Sequence, residues 1–476
     1  MKRRDFIKGA AATVATGAVT ACATPTDTPV SLDNNTASES TLYDVIVVGA
    51  GFAGLTASRD LSKNDHNVLM LDARGRIGGR TFTTQFADHQ TDMGGTWFGS
   101  GQPSLWAEKM RYDLEVEESA AAASEEIIWF DKGKPVTGTP DDYWGMMVPA
   151  YDQFYAPSRA QYPHPFDPLK VADTDQLDQK SAGEVIDSLD LNPLQKELFH
   201  AFACINGHSN SYNSSYLDQL RWVALGGHDK WVMWDNISRF KFKGGTKVLA
   251  DKIQADNRAT TKLGSAAVKV SQRDGVVTVT TNRKEQFKAK QVVMAVPLNT
   301  CKDIEFSPAL SAIKTSAFNE GHTGSGTKIY AKVKGKFPKF FGNGTQDMPL
   351  CFLWTEYDSP DEADQVLCGF GASPDLLDIN NPDAVEAAVK QYLPTAEVLE
   401  TFGYDWNLDP WSKGTWCMYP KGMLTTALAE LQRPEGNIHF ANADIADGWR
   451  GFIDGAIESG AQVAQSIHTK LGVNTA

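Results

Sequence analysis

The first stretch of regular hydrophobic patterning lies between residues 43 and 72. The run Tyr43–Val48 is almost continuously apolar, as expected for a strand that is buried on both faces of a parallel sheet. The glycine-rich turn Gly49–Gly54 follows, then a helical pattern to about Leu61 and a second apolar run at Asn67–Asp72. This order of patterns predicts a βαβ unit at the start of the folded part of the chain.

The C-terminal part of the chain also predicts a short strand followed by a helix. A short strand is predicted at Ile438–Ala441, and an Ala- and Gly-rich helix from about Gly455 to Leu471. Further strands are predicted at Val276–Thr280 and Gln291–Val296. A chain of 476 residues with 42% hydrophobic content is too long for one ordinary core and predicts two domains. The segment between the two ends is dense in aromatic residues, including Trp144, Tyr151, Tyr155, Trp222, Trp231 and Trp234.

The charge of the chain excludes one class of partner. The formal net charge is -14 and the isoelectric point is about 5.2, whereas a nucleic-acid-binding protein needs a basic face for phosphate. Charged residues make up 22% of the chain, which does not indicate disorder. We therefore expect a folded protein with no nucleic-acid partner.

The N-terminus has the features of a targeting segment. Adjacent arginines in Lys2–Lys8 are followed by a small apolar run to Ala21, as in twin-arginine export signals. That run is too short and too rich in Ala and Thr to span a membrane. Val19–Cys22 resembles a lipoprotein processing box, so either Cys22 is lipidated or the signal is cleaved nearby. We expect twin-arginine export to the periplasm, a lipid anchor if Cys22 is modified, and a flexible tether over residues 23–40.

Five cysteines follow Cys22, and they carry no metal or redox motif. They form no Cys-X-X-Cys pair and no metal-ligand spacing, so no metal site is predicted. Five is an odd number, so at least one thiol is free in a monomer, while disulfides among the others stay open for an exported protein. Small apolar core residues are the favoured interpretation for most of them. They are Cys204, Cys301, Cys351, Cys368 and Cys417.

The glycine spacing after the first strand indicates a dinucleotide site. Gly49 permits a tight turn, Gly51 lets the backbone approach a pyrophosphate, and Gly54 lets the helix pack closely on the sheet. The N-terminus of the helix offers free N–H groups to phosphates. Asp72, at the end of the second strand, would accept hydrogen bonds from a ribose. Because the pattern follows a strand and opens a helix, an incidental turn is the weaker interpretation.

The segment Arg74–Thr81 favours FAD over NAD. Its glycines and arginines directly follow the acidic residue and can present amides and guanidinium groups to a second part of an elongated cofactor. A nicotinamide enzyme has no need of this element. The alternative, a solvated basic turn, is unexpected at this position.

Several segments together resemble the flavin-dependent monoamine oxidase family, most closely its bacterial nicotine oxidoreductases. They include GAGFAGL from Gly49, DARGRIGGRTFT from Asp72 and DMGGTWFG from Asp92. The resemblance continues in residues 291–298, 404–406, 410–416 and 440–460, and it covers residues 43 to 471 approximately. It implies an α/β fold in which a discontinuous Rossmann-like FAD-binding domain carries an inserted α+β substrate domain, a mixed β-sheet flanked by helices.

Domain boundaries follow from this resemblance. Residues 1–40 are expected to form the signal and tether. The FAD-binding domain is expected at residues 41–118, 241–300 and 433–476, and the substrate domain at residues 119–240 and 301–432.

The resemblance also implies which residues meet the cofactor. Gly94–Trp97 resembles the loop that lines the flavin ring. Val268 matches a position whose backbone meets the adenine, and Asp444 matches an acid at the ribityl-pyrophosphate region. The N-terminus of the last helix is expected to point at the cofactor. The cofactor-binding residues predicted in this way are Gly49, Gly51, Phe52, Ala53, Gly54, Asp72, Ala73, Arg74, Gly79, Arg80, Gly94, Gly95, Thr96, Trp97, Val268, Asp444 and Ile453.

Three departures from the family pattern bear on the cofactor. The usual Gly is Asn442, which tolerates a left-handed backbone better than most residues. The usual Glu is Asp at both 72 and 444, one methylene shorter. Some relatives attach flavin through a Cys at the position of Thr415, so we expect non-covalent FAD.

Three side chains are expected to act at the reaction centre. Lys328 matches the family lysine that holds a water beside flavin N5, although spacing alone would make it an exposed strand lysine. Trp416 and Phe452 match the walls of an aromatic cage around the amine nitrogen, with Phe in place of the usual Tyr. Without the family, core aromatics would be the better interpretation of both. We see no Ser/His/Asp or paired-carboxylate constellation in the sequence, and the chemistry requires none.

The predicted function is that of an FAD-dependent amine oxidase. The small-molecule amine passes a hydride from its α-carbon to flavin N5, and the iminium hydrolyses to a carbonyl compound. Oxygen, giving hydrogen peroxide, or a c-type cytochrome would reoxidise the flavin. One alternative is a flavin oxidase or desaturase for an amino acid or another apolar substrate, with Arg221 or Arg239 as the group that binds a carboxylate. The other is a non-catalytic flavin-binding accessory protein.

Overall fold

The computed structural model describes residues 38–170, 175–358 and 363–472. The predicted export signal, the lipidation site Cys22 and nearly all of the predicted tether lie outside these residues, so they stay predictions. No helix in the described ranges is long and apolar enough to cross a membrane.

The first of two large sheets is built around β1 (Leu42–Val48). Val45, Ile46 and Val47 are all 0% exposed, and since successive residues of a strand point to opposite faces, both faces of β1 are buried. β1 pairs in parallel with strands on either side, which places it inside the sheet. The spatial order is β13 (Glu305–Ser307), β10 (Ala267–Arg273), β11 (Val276–Thr281), β12 (Gln286–Met294), β1, β2 (Val68–Leu71) and β9 (Thr260–Lys262), with β19 (Ile438–Phe440) beside the end of β12.

The second large sheet is mixed. Its strands pair antiparallel except for one parallel pair, and every residue of its strand Gln365–Gly371 is buried. The spatial order is β18 (Val398–Gly403), β14 (Thr327–Val333), β17 (Gln365–Gly371), β16 (Phe352–Asp358), β15 (Phe340–Asn343), β6 (Glu126–Asp131) and β7 (Lys134–Gly138). Two small sheets pair β3 (Thr83–Phe86) with β4 (His89–Asp92) and β5 (Val116–Glu118) with β8 (Phe240–Phe242).

The first and last helices meet at backbone distance. α1 covers Phe52–Lys63, and α14 covers Ile453–Gly472. A Cβ added at Gly460 would lie 2.3 Å from the backbone oxygen of Ala53, so a larger residue would push the two helices apart. Gly460 therefore lets α14 pack directly on the helix of the dinucleotide unit.

Local capping signals account for where several other helices begin. Thr139, Ser181 and Asn192 each accept a hydrogen bond from the backbone N–H three residues on, and that residue's side chain bonds back to the cap. The three helices that begin in this way are α3 (Pro140–Tyr155), α6 (Ala182–Ser188) and α7 (Pro193–Gly207). The other helices between α1 and α14 are α2 (Pro103–Arg111), α4 (Ser158–Gln161), α5 (Asp175–Asp178), α8 (Tyr216–Leu225), α9 (Lys230–Ser238), α10 (Lys247–Ala255), α11 (Ala312–Glu320), α12 (Pro382–Tyr392) and α13 (Met423–Gln432). Short 3-10 helices lie at Ala120–Ala123, Leu298–Asp303, Pro374–Leu376 and Ala443–Ile445.

The predicted α/β class, with a Rossmann-like sheet and a mixed sheet flanked by helices, is confirmed. The strand predicted at Gln291–Val296 begins earlier, at Gln286, and ends at Met294. The domain boundaries stay predictions. One strand of the first sheet, β13, lies beyond residue 300, where the second segment of the FAD-binding domain was expected to end.

The five cysteines that follow Cys22 are buried free thiols, as the core interpretation predicted. No group of three or more His, Cys, Asp or Glu side chains that could hold a metal ion occurs in the described ranges.

The expectation of a left-handed Asn442 is wrong. Its backbone is extended, with φ -160° and ψ 172°. Its side-chain oxygen accepts a hydrogen bond from the Asp444 N–H at 2.8 Å, and its side-chain amide donates to the Val296 oxygen at 2.9 Å. Asn442 therefore holds the turn through its side chain, as an N-cap residue does.

Asp454 couples α14 to α2. Gln102, at the N-cap of α2, makes no side-chain capping bond, and the Leu105 N–H donates instead to Asp454 Oδ1 at 2.8 Å. Asp454 is 1% exposed, and this burial raises its pKa to about 7. The carboxyl group is thus held in the folded protein in the form that carries a proton.

Replacing Asp454 should remove a pH dependence of stability. In the unfolded chain this carboxyl loses its proton near pH 3.8, whereas in the folded protein it keeps the proton up to about pH 7. The stabilisation is therefore present at low pH and is lost as the pH rises through the folded pKa. Between about pH 4 and pH 7, the free energy of unfolding of the wild type should fall relative to that of Asp454→Asn, by on the order of 1 kcal/mol per pH unit.

Urea unfolding followed by circular dichroism at a series of pH values measures this difference. Asn keeps the oxygen that accepts from Leu105 and carries no charge, so the capping bond is the same in both proteins. Parallel pH profiles for wild type and variant would contradict the assignment.

Candidate active site

The turn after β1 is shaped by glycine. Gly49 has φ +109°, and a Cβ on it would lie 2.4 Å from the Ala295 oxygen. A Cβ on Gly54 would lie 1.8 Å from the Gly49 oxygen. Gly51 is the N-cap residue of α1, which has no side-chain cap and no acidic residue in its first turn, so the first N–H groups of the helix are not satisfied by side chains. Such an N-terminus suits a phosphate.

The second glycine loop lies on the first. The Gly78 N–H donates to the Ala50 oxygen at 2.9 Å, and a Cβ on Gly79 would lie 3.1 Å from the Gly51 Cα. The Arg74 side chain points away from this loop and donates to Asp409 at 2.9 Å and to Ser412 at 2.7 Å.

Asp72 is bonded within the protein, and Val268 lies at an irregular position of β10. The Asp72 carboxylate accepts hydrogen bonds from the N–H groups of Ala50 and Arg74, both at 2.7 Å. Burial raises the pKa of Asp72. Each of its oxygens keeps a lone pair for a ribose hydroxyl. Val268 is 41% exposed and is skipped in the pairing of β10 with β11, where the register shifts between Ala267 and Lys269.

Asp444 has a partner that the sequence did not indicate. Its carboxylate accepts from Arg80 Nη2 at 2.6 Å and from the Leu298 N–H at 2.9 Å, and Arg80 also donates to the Thr415 oxygen at 2.8 Å. Burial pushes the pKa of Asp444 up, but the charge of Arg80 and these hydrogen bonds lower it below its usual value. The carboxylate is therefore ionised and orients Arg80.

Three predicted cofactor segments touch one another. A Cβ on Gly94 would lie 2.0 Å from the Arg80 oxygen. A Cβ on Gly95 would lie 3.4 Å from Thr81 Cγ2 and 3.7 Å from Ile453 Cγ1. The arginine loop, the loop Gly94–Trp97 and the start of α14 are therefore neighbours, although Thr81 and Ile453 are 372 positions apart in the chain.

Lys328 is buried on β14. It is 5% exposed, against the exposed position that spacing alone would give it. Its Nζ donates to the Asp92 oxygen at 2.6 Å, to the Gly94 oxygen at 3.1 Å and to Thr96 Oγ1 at 2.8 Å. Nζ also lies 4.4 Å from the ring centroid of Trp97. Burial lowers the pKa of Lys328.

These partners restrict the role predicted for Lys328. An ammonium has three N–H donors, and three protein acceptors use all of them. A neutral amine would donate to the two backbone oxygens and accept from the Thr96 hydroxyl. Both forms therefore use every donor and lone pair of Nζ, and the prediction that Lys328 holds a water beside N5 requires the release of one of these bonds.

Trp416 is held on three sides. Its Nε1 donates to the Asn206 oxygen at 2.9 Å. His208 stacks on the indole, with ring centroids 3.7 Å apart and planes 7° apart, and Phe370 meets the indole edge-on at 5.6 Å. Phe370 is also 5.8 Å from Lys328 Nζ. The predicted cage wall and the predicted lysine thus belong to one cluster.

Phe452 lies on a neighbouring segment. Its ring packs edge-on against Trp222 at 5.1 Å and Trp449 at 5.3 Å. Gly451, the residue before it, lies against Cys417, the residue after Trp416, since a Cβ on Gly451 would be 2.8 Å from the Cys417 oxygen. The backbones of the two predicted cage walls, Trp416 and Phe452, are therefore brought together by the contact between their chain neighbours Cys417 and Gly451.

Sequence reasoning missed three residues of this cluster. Phe370 contacts Trp97, Trp354 and Trp416, and His208 contacts Phe370 and Trp416. Phe370 and Trp354 are ordinary apolar strand positions, so no local signal distinguishes them. The sequence signal for His208 is weak, because it consists only of a polar residue that directly follows Gly207, the last residue of α7.

The two arginines proposed for a carboxylate substrate are engaged elsewhere. Arg221 is 1% exposed, and its Nη groups donate to Asp218 at 3.1 Å and to the Gly448 oxygen. Arg239 pairs with Asp235 at 2.7 Å near the surface. Neither favours an amino-acid substrate.

A Ser/His/Asp arrangement does occur, contrary to the sequence analysis. Ser211 Oγ lies 2.9 Å from His200 Nδ1, and His200 Nε2 lies 3.2 Å from Asp187 Oδ1. Ser211 is 0% exposed and its hydroxyl is 2.9 Å from Gln346 Oε1. A hydroxyl that no substrate can reach is a structural group, so this arrangement does not support hydrolysis.

Buried donors around the glycine loops fit an elongated anionic cofactor. Within the described part of the chain, Arg76 Nη2 and Trp97 Nε1 are buried N–H groups without a hydrogen-bond partner. A native structure rarely leaves such groups unsatisfied. Together with the uncapped start of α1, they fit FAD, whose pyrophosphate and isoalloxazine carry the acceptors these donors need. The site would be formed by the two glycine loops, Arg80 and the loop Gly94–Trp97.

A family model of flavin containing amine oxidoreductases matches residues 52–468. The chain belongs to this family. Its relatives include the pseudooxynicotine dehydrogenase of a Pseudomonas species, 39% identical over 434 residues, which are 90% of this chain and 87% of that protein. The nicotine dehydrogenase of Pseudomonas putida (strain DSM 28022 / S16) is 34% identical over 430 residues, 90% of this chain and 89% of that protein. The (S)-6-hydroxynicotine oxidase of Paenarthrobacter nicotinovorans is 30% identical over 440 residues, which are 90% of this chain and 99% of that protein.

Solved structures of flavin amine oxidases share the fold. The cyclohexylamine oxidase from Brevibacterium oxydans IH-35A aligns with a TM-score of 0.77 at 20% identity, over 91% of this chain and 100% of that one. Putrescine oxidase bound to putrescine aligns with a TM-score of 0.77 at 21% identity, over 90% of this chain and 99% of that one. The family membership confirms the predicted resemblance and shows that the protein is a flavin-dependent amine oxidoreductase. The non-catalytic alternative is therefore set aside.

Gly54→Ala should weaken FAD binding. The added Cβ would overlap the Gly49 oxygen at 1.8 Å, so the turn and the start of α1 must move apart. We expect FAD to bind about tenfold more weakly or worse, since a shift that costs 1.4 kcal/mol already has that effect. The control is Gly75→Ala, where nothing lies within 4 Å of the added Cβ. FAD titration of the apoprotein, followed by flavin fluorescence, measures both; equal affinities would contradict the assigned cradle.

Proposed function

We propose that the protein oxidises a small N-alkylated or cyclic amine, with Trp416 and Phe452 beside the amine nitrogen and Lys328 beside the flavin. The observation that carries the proposal is the single cluster formed by Lys328, Trp97, Phe370 and Trp416 next to the glycine loops. Among the relatives, the names pseudooxynicotine dehydrogenase, nicotine dehydrogenase and 6-hydroxynicotine oxidase support a nicotine-related amine.

The aromatic residues would select and orient the amine. Indole and phenyl faces carry negative quadrupoles that favour a nitrogen with partial positive charge. Phe452 has no hydroxyl, so this part of the pocket is more apolar than one with Tyr. Burial favours the neutral form of Lys328, which avoids repulsion between an ammonium and the cationic product.

Bound FAD would supply the redox chemistry by accepting a hydride from the α-carbon of the amine. The protein positions the amine and excludes water until the iminium has formed, and water then hydrolyses the iminium to a carbonyl compound. Electrons would leave to oxygen, giving hydrogen peroxide, or to a c-type cytochrome. Two of the relatives named above are dehydrogenases, which favours an acceptor other than oxygen.

Anaerobic reduction of the flavin by amines tests the proposal. We expect nicotine-related secondary or tertiary amines to bleach the flavin of the wild type. Trp416→Ala should raise the amine concentration for half-maximal bleaching by about 5-fold or more, since a desolvated cation–π contact contributes up to about 2 kcal/mol. Trp411→Ala is the control, because Trp411 is 36% exposed and lies outside the stacked and edge-on ring pairs that form the cluster. Subsequent mixing with oxygen or with cytochrome c identifies the acceptor. A flavin that no amine in the panel bleaches would rule the proposal out.

Non-covalent attachment of FAD is a second part of the proposal. Thr415 is buried and its Oγ1 lies 2.7 Å from His208 Nδ1, so the residue at the attachment position is a hydrogen-bonded hydroxyl and not a thiol. Precipitation of the wild type with acid should release all of the flavin into the supernatant. Thr415→Cys provides the comparison for a chain that carries a thiol at this position. Flavin that sediments with the wild-type polypeptide would show a covalent bond and contradict this part.

A further inference from the structure

We propose that His208 is a positioning residue that sets the plane of the Trp416 indole and thereby the amine-binding surface of the active site. This inference rests on the proposed function, since it assigns how one wall of the proposed cage is held. The contact between His208 and Trp416 is a tertiary one, because the two residues are 208 positions apart in the chain.

The backbone of His208 is held in an uncommon conformation. His208 is the residue after α7 and has φ 45° and ψ 43°, in the left-handed region that few non-glycine residues occupy. Its backbone oxygen accepts hydrogen bonds from the N–H groups of Ser325 at 2.7 Å and Gly326 at 2.6 Å, just before β14. The left-handed turn therefore directs the side chain from the end of α7 toward the strand that carries Lys328.

Hydrogen bonds define one tautomer of the imidazole. Nε2 lies 3.3 Å from the backbone oxygen of Thr327, which can only accept, so Nε2 carries the proton. Nδ1 lies 2.7 Å from Thr415 Oγ1 and accepts from that hydroxyl. The side chain is 1% exposed, and burial lowers its pKa to about 3. The ring is therefore neutral wherever the enzyme is folded and active.

The imidazole lies flat against one face of the Trp416 indole. The ring planes differ by 7° at a centroid separation of 3.7 Å. The bond from Trp416 Nε1 to the Asn206 oxygen stops rotation within that plane, and the edge of Phe370 closes a further side. Only the opposite face of the Trp416 indole is then open to an amine. Asn206 and His208, at the end of α7, therefore determine which face of the indole the amine meets.

The neutrality of the imidazole matters for an amine. A histidinium against the back of the indole would oppose the cation that the front face attracts, whereas a neutral ring leaves the indole quadrupole available. A Thr415 hydroxyl that donates to Nδ1 keeps the ring in this state. The stack is thus suited to a wall that binds cationic or partly cationic nitrogen.

Two variants separate the ring from the backbone conformation. His208→Gly removes the ring and adopts a left-handed φ without strain. His208→Asn also removes the ring, tolerates the left-handed backbone and keeps a polar side chain. The matched control is His228→Gly, because His228 has φ 64° and its ring contacts Ser158 and not a tryptophan. Each variant is studied as the FAD-loaded full chain.

The readouts are the binding of a probe and the kinetics of flavin reduction. Benzyltrimethylammonium has no nitrogen lone pair and cannot be oxidised as an amine, so its dissociation constant can be taken from the change in the flavin absorption spectrum. We expect His208→Gly and His208→Asn to weaken probe binding about 3- to 10-fold, the range that corresponds to loss of one aromatic pair. The limiting rate of reduction by an amine should change less than the half-saturating amine concentration. Free imidazole should restore probe binding to His208→Gly, and His228→Gly should bind as the wild type does.

The outcomes distinguish the inference from its alternatives. Unchanged probe binding in both variants overturns it. Weaker binding that imidazole does not restore, together with a matching loss of FAD, assigns His208 to folding alone and also overturns it. If the wild type binds the probe but no amine bleaches its flavin, the proposed function fails, while the probe titrations still decide the role of His208. A wild type that does not bind the probe overturns both.

Discussion

The buried amino group of Lys328 is the constraint on which the arrangement of the active site depends. A polar group taken out of water must be given hydrogen-bond partners. Lys328 donates to the backbone oxygens of Asp92 and Gly94 and to the Thr96 hydroxyl, which lie at the end of β4 and in the loop that follows it. The second large sheet is thereby joined to the loop predicted to line the flavin. Tyr330, two residues further along β14, adds a hydrogen bond to the Asp92 oxygen at 3.1 Å.

Close backbone contacts at glycine supply the complementary constraint on the cofactor side. Gly54 packs on the Gly49 oxygen within the first loop, Gly79 brings the second loop onto Gly51, and Gly460 brings α14 onto α1. A Cβ would be excluded at Gly54 and Gly460 and would be tight at Gly79, so glycine lets these segments converge. The result is an uncapped helix start between two closely packed glycine loops, which is an arrangement that suits a pyrophosphate.

Buried ion pairs orient the loops around the cage without approaching the amine. Asp218 accepts from Arg450, from Arg221 and from the Tyr419 N–H. Burial alone would raise the pKa of Asp218, but the two arginines lower it, so it is ionised. Such pairs add little net stability, yet breaking one leaves a charge uncompensated. Their effect here is to hold the segment Gly448–Phe452, and with it the second cage wall, in one position.

The sequence by itself determined the βαβ unit, the FAD-type loops and, through the family pattern, the identities of Lys328, Trp416 and Phe452. These features are local, because strand burial, glycine turns and helix starts are written in neighbouring residues. The burial of Lys328 could not be read from spacing, since alternation along β14 does not reveal what packs on each face.

Other features were decided by tertiary structure alone. The pairing of Arg80 with Asp444, the side-chain role of Asn442 and the stacking of His208 on Trp416 each join residues that are distant in the chain or depend on a conformation the sequence does not specify. A stack or an ion pair depends on the relative position of two elements. That position is set by the packing of the whole core and not by any segment of it.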